Sequence, residues 1–297
     1  MTQTLPQPKA RLTFIDVLRG ISVIWMIETH VIDACLNWTY KSGWFYSILN
    51  VSNGFVAVCF IFCAGAGFWL AAMKKTDDYK HFRKPFWVYV RRLGMVLIMG
   101  YWLHIPYLSL QKTLVMEYDR QLFFFECDVL HTIAITSFFA LFILLITPRI
   151  KAIPYIFGAF AIIIFSVAPV IRSIDFMSSL PVFIGTYLTG PPVSKFPLFP
   201  WSGYFFAGVA ITAFFMSHPN KEKIAKIFVV VGFILPFILF SLKDLQIFIF
   251  SGTNWWQGTP EHSLFRVSGC VLAFGLLFLI EKYYKDKKIG NFLVLNG

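Results

Sequence analysis

Uncharged stretches long enough to cross a bilayer recur along the chain, separated by short charged segments. Residues 51–73, 93–111, 129–148, 152–171 and 196–217 hold no Asp, Glu, Lys or Arg. Each is close to the roughly 20 residues that an α-helix needs to span the hydrocarbon core. Three further apolar stretches contain charge: 14–36 with Asp16, Arg19, Glu28 and Asp33, 224–242 with Lys226, and 263–280 with Arg266. The pattern predicts about eight transmembrane helices in one all-α polytopic bundle over 1–297. Residues 176–194 are also uncharged, but Pro181, Gly185, Gly190, Pro191 and Pro192 interrupt them, which predicts an outer loop or a re-entrant segment.

Composition supports lipid as the solvent. The chain is 58% hydrophobic and 14% charged, against roughly 25% charged residues in a soluble domain. Its 15 prolines and 19 glycines are compatible with membrane helices, whose neighbours satisfy freed backbone groups. The polar opening MTQTLPQPKA and an apolar run that continues past Trp25 predict no cleavable signal peptide.

Charge then sets an orientation. With the N-terminus inside, Lys74, Lys75, Lys80, Arg83, Lys84, Arg91, Arg92, Arg149, Lys151, Lys221, Lys223 and Lys226 all fall on the cytoplasmic side, as the positive-inside rule requires. The net charge of +11 is therefore mostly a topology signal and gives no support to nucleic-acid binding. His30, His104, His131 and His262 lie toward the opposite face, which concentrates polar chemistry there.

The first span, RLTFIDVLRGISVIWMIETH, carries ionisable groups that are costly in a membrane and are functional candidates by default. Arg19 and His30 are almost three helical turns apart, so both point the same way, about 16 Å apart along the axis. Asp16 and Asp33 extend this stripe while Glu28 points away, and the stripe is expected to line a shaft between the two membrane faces. In FECDVLHTIAI, His131 has Asp128 three residues before it, on the same helix face. That pair either meets the His30 stripe across the bundle or fixes two helices together.

The opening stretch resembles the signature of the transmembrane acyltransferases, which include the heparan-alpha-glucosaminide N-acetyltransferase family and the acyltransferase-3 family. There an Arg-Gly pair in the first helix is followed, after ten intervening residues, by a histidine, as Arg19, Gly20 and His30 are here. FIFCAGAGFWL, FRKPFWVYVRRLGMVLI, FECDVLHTIAI and FPLFPWSGYFFAGVAI continue the resemblance in order, the last two being most similar to bacterial relatives of the heparan enzyme. The resemblance implies an enzyme of the bacterial inner membrane. It takes an acyl group, usually acetyl, from cytoplasmic acyl-CoA (acetyl-CoA) and delivers it to an amino or hydroxyl group of an extracytoplasmic glycan or amino sugar. In the heparan enzyme the catalytic histidine lies in the loop after the first helix, whereas the loop NWTYKSGWFYSILN has none. Relatives also continue into a further helix beyond the point where IGNFLVLNG ends.

On that reading His30 is the first candidate for the general base, with Asp33 orienting it, and the His131/Asp128 pair is the second. Arg19 beside Asp16 reads either as a donor contact or as a cation snorkelling to the interface. The basic segment from Lys74 to Arg92, with Arg91 and Arg92 at its end, reads either as a clamp for the CoA phosphates or as positive-inside charge. A homodimer is among the expected assemblies. Cys59 and Cys63 are expected to be packing residues, and no metal is expected. Cys35 and Cys127 are a candidate disulfide, and Trp255 and Trp256 read as interfacial aromatics or a sugar platform. A proton-coupled transporter of small solutes is the alternative, because it too places His and Asp inside its spans.

Overall fold

The computed structural model describes residues 13–106, 109–243, 255–285 and 287–296. Among them there are helices and turns but no strands. In chain order they are α1 (Thr13–Cys35), α2 (Gly43–Lys80), α3 (Lys84–Leu103), α4 (Leu110–Leu114), α5 (Tyr118–Phe125), α6 (Val129–Ile146), α7 (Ile153–Arg172), α8 (Val182–Leu188), α9 (Leu198–Ser217), α10 (Lys221–Ser241), α11 (Pro260–Tyr284) and α12 (Lys288–Asn296). α2, α6, α7, α9, α10 and α11 are long and apolar enough to cross a membrane. α1 and α3 are as long, but Asp16, Arg19, Glu28 and Asp33 in the one and Arg91 and Arg92 in the other lower their apolarity.

Consecutive long helices run antiparallel. The end of the bundle holding the C-terminus of α1 and the N-termini of α2, α6, α9 and α11 is called the upper end below. α2 is the central post and packs on α1, α3, α6, α9 and α11. Its contact with α9 is backbone against backbone: Gly65 faces the Phe205 carbonyl and Gly208 faces the Phe62 carbonyl. Small residues allow this close approach, which substitutes in lipid for the missing hydrophobic drive. Around the contact, Phe62, Phe157, Phe205, Phe206 and Phe274 are almost fully buried, with Phe157 and Phe206 stacked at 5.4 Å.

Several expectations need correcting. The second helix extends well beyond 51–73 at both ends, over 38 residues, with a non-helical bend at Lys75. The third helix starts nine residues before the uncharged window, because Pro85 suits its first turn. It ends at Leu103 with His104 as the cap. Thus Lys74, Lys75, Lys80, Lys84, Arg91 and Arg92 are not on a loop; they line the lower ends of α2 and α3. Residues 176–194 form the short α8 between turns at the upper end, in keeping with an outer loop.

The α1 stripe also differs from an enclosed shaft. Buried α1 residues are confined to Thr13–Ser22, against α2, α11 and α12, whereas His30 and Asp33 are exposed and Asp16 and Arg19 half-buried. In its last three turns α1 keeps only partly covered residues such as Trp25 and Thr29 against the bundle, and no residue there is fully buried among the described residues. At its lower half, Gly20 lets the Leu293 carbonyl of α12 sit directly on the helix, which gives the Arg-Gly pair a packing role alongside any chemical one.

Candidate functional site

Two polar clusters occupy the upper end. The first surrounds His131, which is fully buried. Its Nδ1 accepts a hydrogen bond from the Asp128 backbone N–H at 3.2 Å, while the Asp128 carboxylate accepts from the Val129 N–H, so the pair forms a capping box at the start of α6. The Asp128 carboxylate and the His131 imidazole are therefore each bonded to backbone N–H groups at the helix end and not to each other. Tyr101, His104 and Tyr187 box the ring, with centroids at 4.3, 5.8 and 6.2 Å. The Tyr101 and Tyr187 hydroxyls share a hydrogen bond of 2.8 Å. Burial, followed by that Tyr101 contact, raises the Tyr187 phenol above its ordinary range. Gly100 is needed here: a Cβ on it would stand 2.8 Å from the imidazole.

The segment before α6 is stapled to the approach of α9. The Cys127 N–H donates to Ser194 Oγ at 3.0 Å, and the Phe196 N–H donates to the Cys127 carbonyl at 3.1 Å. The Cys127 thiol, pushed up to about 12 by burial, packs against Thr132 and the Phe196 carbonyl. Cys35 stands exposed at the end of α1 and both thiols are free, so the candidate disulfide is absent.

The second cluster joins α1, α2 and α11 around a cavity of about 490 Å³ lined by Thr29, Asn50, Val51, Asn53, Gly54, Trp256 and Arg266. Arg266 donates from Nη1 to the Gly54 carbonyl and from Nε to His262 Nε2 at 3.0 Å. His262 is 3% exposed and its Nδ1 has no hydrogen-bond partner among the described residues. Trp25 Nε1 donates to Asn53 Oδ1 at 3.1 Å, which ties α1 to α2 beside the cavity.

His30, the residue after Thr29 on α1, is exposed and is not among the residues that line this cavity. Its side chain makes no hydrogen bond among the described residues, and neither does the Asp33 carboxylate. Only the Asp33 backbone is engaged, accepting from Lys41 Nζ at 2.9 Å. Glu28, expected to point away, buries its Oε2 without a partner among the described residues. His30 and His131 are not brought together: α6 packs on α3, α2 and α9, and α1 packs on α2, α11 and α12. At the lower half of α1 the Asp16–Arg19 ion pair is present at 3.1 Å, with Arg19 Nε buried and unpartnered among the described residues.

Residues 11–252 match the family model for the catalytic region of heparan-alpha-glucosaminide N-acetyltransferase. The chain belongs to this family. No match was found among curated proteins or among solved structures. Membership makes the coarse activity that of a membrane acetyltransferase, and it carries the heparan side of the resemblance but not the acyltransferase-3 side. The described residues contain no cluster of metal-ligating side chains.

The cavity was not assembled from sequence. Arg266 read only as a charge within the last apolar stretch, and Trp255 and Trp256 as interfacial aromatics or a sugar platform with no partner residues named. Two signals were available: Asn50 and Asn53 at i and i+3 near the start of α2, and His262 and Arg266 at i and i+4 on α11, each pair sharing one helix face.

Proposed function

We propose that this protein transfers an acetyl group from acetyl-CoA, entering at the lower, cytoplasmic end, to an amino or hydroxyl group of a glycan or amino sugar at the upper, extracytoplasmic end. The observation that supports this best is the placement of His30. It is an exposed imidazole, unengaged among the described residues, and its chain neighbour Thr29 lines a polar cavity. In the proposed step the acceptor nitrogen or oxygen bonds to the thioester carbonyl carbon and the C–S bond breaks. His30 takes the acceptor proton, and CoA leaves as the thiolate. Asp33, one turn on, stabilises the imidazolium that forms.

The donor side rests on charge and on the Asp16–Arg19 pair. Arg83 is tied to Asp77 and Asp78, and Lys80 Nζ donates to the Thr147 carbonyl at 2.7 Å. Arg91 and Arg92 are exposed and make no ion pair among the described residues, so on this reading they meet the CoA phosphates. The Arg91→Ala, Arg92→Ala double variant is expected to weaken acetyl-CoA binding by about 1 to 3 kcal/mol, the size of one or two charge-assisted hydrogen bonds. Calorimetry in detergent checks this, and unchanged affinity returns both arginines to a purely topological role.

A further inference from the structure

The cavity between α1, α2 and α11 holds a guanidinium with no carboxylate partner among the described residues. Arg266 spends Nη1 on the Gly54 carbonyl and Nε on His262, while its Nη2 makes no hydrogen bond among them although the residue lines the cavity. Burying a cation inside a membrane helix without a counter-charge is costly. A carbonyl and a neutral imidazole orient the charge but do not cancel it. Because Nε of Arg266 donates, His262 Nε2 accepts, and the imidazole acts as a brace that aims the fork. Gly54 is required for the fit, since a Cβ there would stand 2.7 Å from Nη2.

The remaining walls suit a sugar-sized ring. Trp256 offers an aromatic face, its neighbour Trp255 stands against His262 with ring centroids 4.8 Å apart, and Thr29, Asn50 and Asn53 supply hydrogen-bonding groups. Asn53 Oδ1 is already taken by Trp25, which turns its amide donors away from that bond. We infer that this cavity is an oxyanion-selecting subsite, in which Arg266, aimed by the positioning residue His262, binds a carboxylate or phosphate carried on the acceptor sugar. His262, Arg266 and Trp256 lie beyond the matched residues 11–252, so family membership does not assign them. The inference rests on the proposal that the upper end receives a sugar acceptor, but it is tested by binding alone.

The experiment uses the full chain in detergent with three probes, namely glucosamine, glucosamine 6-phosphate and glucuronate, measured by calorimetry at low and high salt. Wild type is expected to bind a charged probe at least about tenfold more tightly than glucosamine, the size of one bidentate charge-assisted contact, and to lose the difference as salt rises. Which charged probe gains identifies phosphate or carboxylate as the anion. Arg266→Gln should abolish the preference. His262→Leu should reduce it and His262→Gln, which keeps an acceptor for Nε, should restore it, a pattern that loss of folding does not produce. Equal binding of charged and neutral probes by wild type, which needs no variant to fold, overturns the inference, as does an Arg266→Gln protein that folds and keeps the preference. If acetyl transfer fails with every acceptor while the charged-probe preference stands, the fault lies in the catalytic reading and not in the subsite.

Discussion

His30→Ala is expected to leave a protein that folds, melts within a few degrees of wild type and binds acetyl-CoA, but transfers acetyl groups roughly 10²- to 10⁴-fold more slowly, the usual contribution of a positioned general base. The stability half follows from surroundings: His30 is exposed and its side chain makes no hydrogen bond among the described residues, so its removal strands no partner. His131→Ala should behave in the opposite way. That ring is fully buried in a box of Tyr101, His104 and Tyr187 and accepts the Asp128 N–H, so truncation empties a packed space and orphans a helix-end donor. Melting temperature and transfer to an amino-sugar panel, measured together on both variants, separate the two. A His30→Ala protein with near-normal turnover makes His131 the leading base.

The largest loss of folded protein is expected from Gly208→Val. A Cβ at Gly208 would land on the Phe62 carbonyl oxygen, and the reciprocal contact at Gly65 lands on the Phe205 carbonyl. Both obstacles are backbone, which no rotamer change removes, so α2 and α9 have to separate along the seam that buries Phe62, Phe205 and Phe206. Overpacking in a tight core costs about 1 to 3 kcal/mol and more when backbone has to move. Gly67→Ala is the control, because nothing lies within 4 Å of a Cβ there and alanine is the better helix former. A thermal-shift series in detergent should show Gly67→Ala at or above wild type and Gly208→Val as a large drop or as aggregated protein. Equal melting of the two contradicts the described helix contact.

The helices were legible in sequence wherever lipid alone decides the pattern. The windows 129–148, 152–171 and 196–217 reappear as α6, α7 and α9 because an uninterrupted apolar run has no other stable form in a bilayer. Legibility failed where charge and length part company. The Arg91–Arg92 pair was taken as the edge of the third helix, yet both sit inside α3, with their charge near the lower end where it can reach water. α2 continues past both edges of its window, and polar residues such as Ser47, Asn50, Lys74 and Asp77 lie in these extensions, outside the apolar demand. The Arg19/His30 stripe was a correct reading of helical period, but period says nothing about which neighbour covers a face, and His30 and Asp33 on the upper part of α1 stand exposed among the described residues. Asp128 and His131 share a face as expected, yet backbone N–H groups competed for their side chains. The Arg266 cavity joins α11 to α1 and α2 across a sequence separation of 212 residues between Arg266 and Gly54, so only the folded chain shows it.

The most direct test of the account is sided acetyl transfer by the purified full chain in sealed vesicles, with labelled acetyl-CoA supplied to one face and amino sugars, including glucosamine and glucosamine 6-phosphate, to the other. The account predicts acetylated sugar when the donor meets the face bearing Arg91 and Arg92, none when it meets the opposite face, and loss of product with His30→Ala. Folded protein that transfers from neither face, or that passes unmodified sugar across the membrane without breaking the thioester, would contradict it.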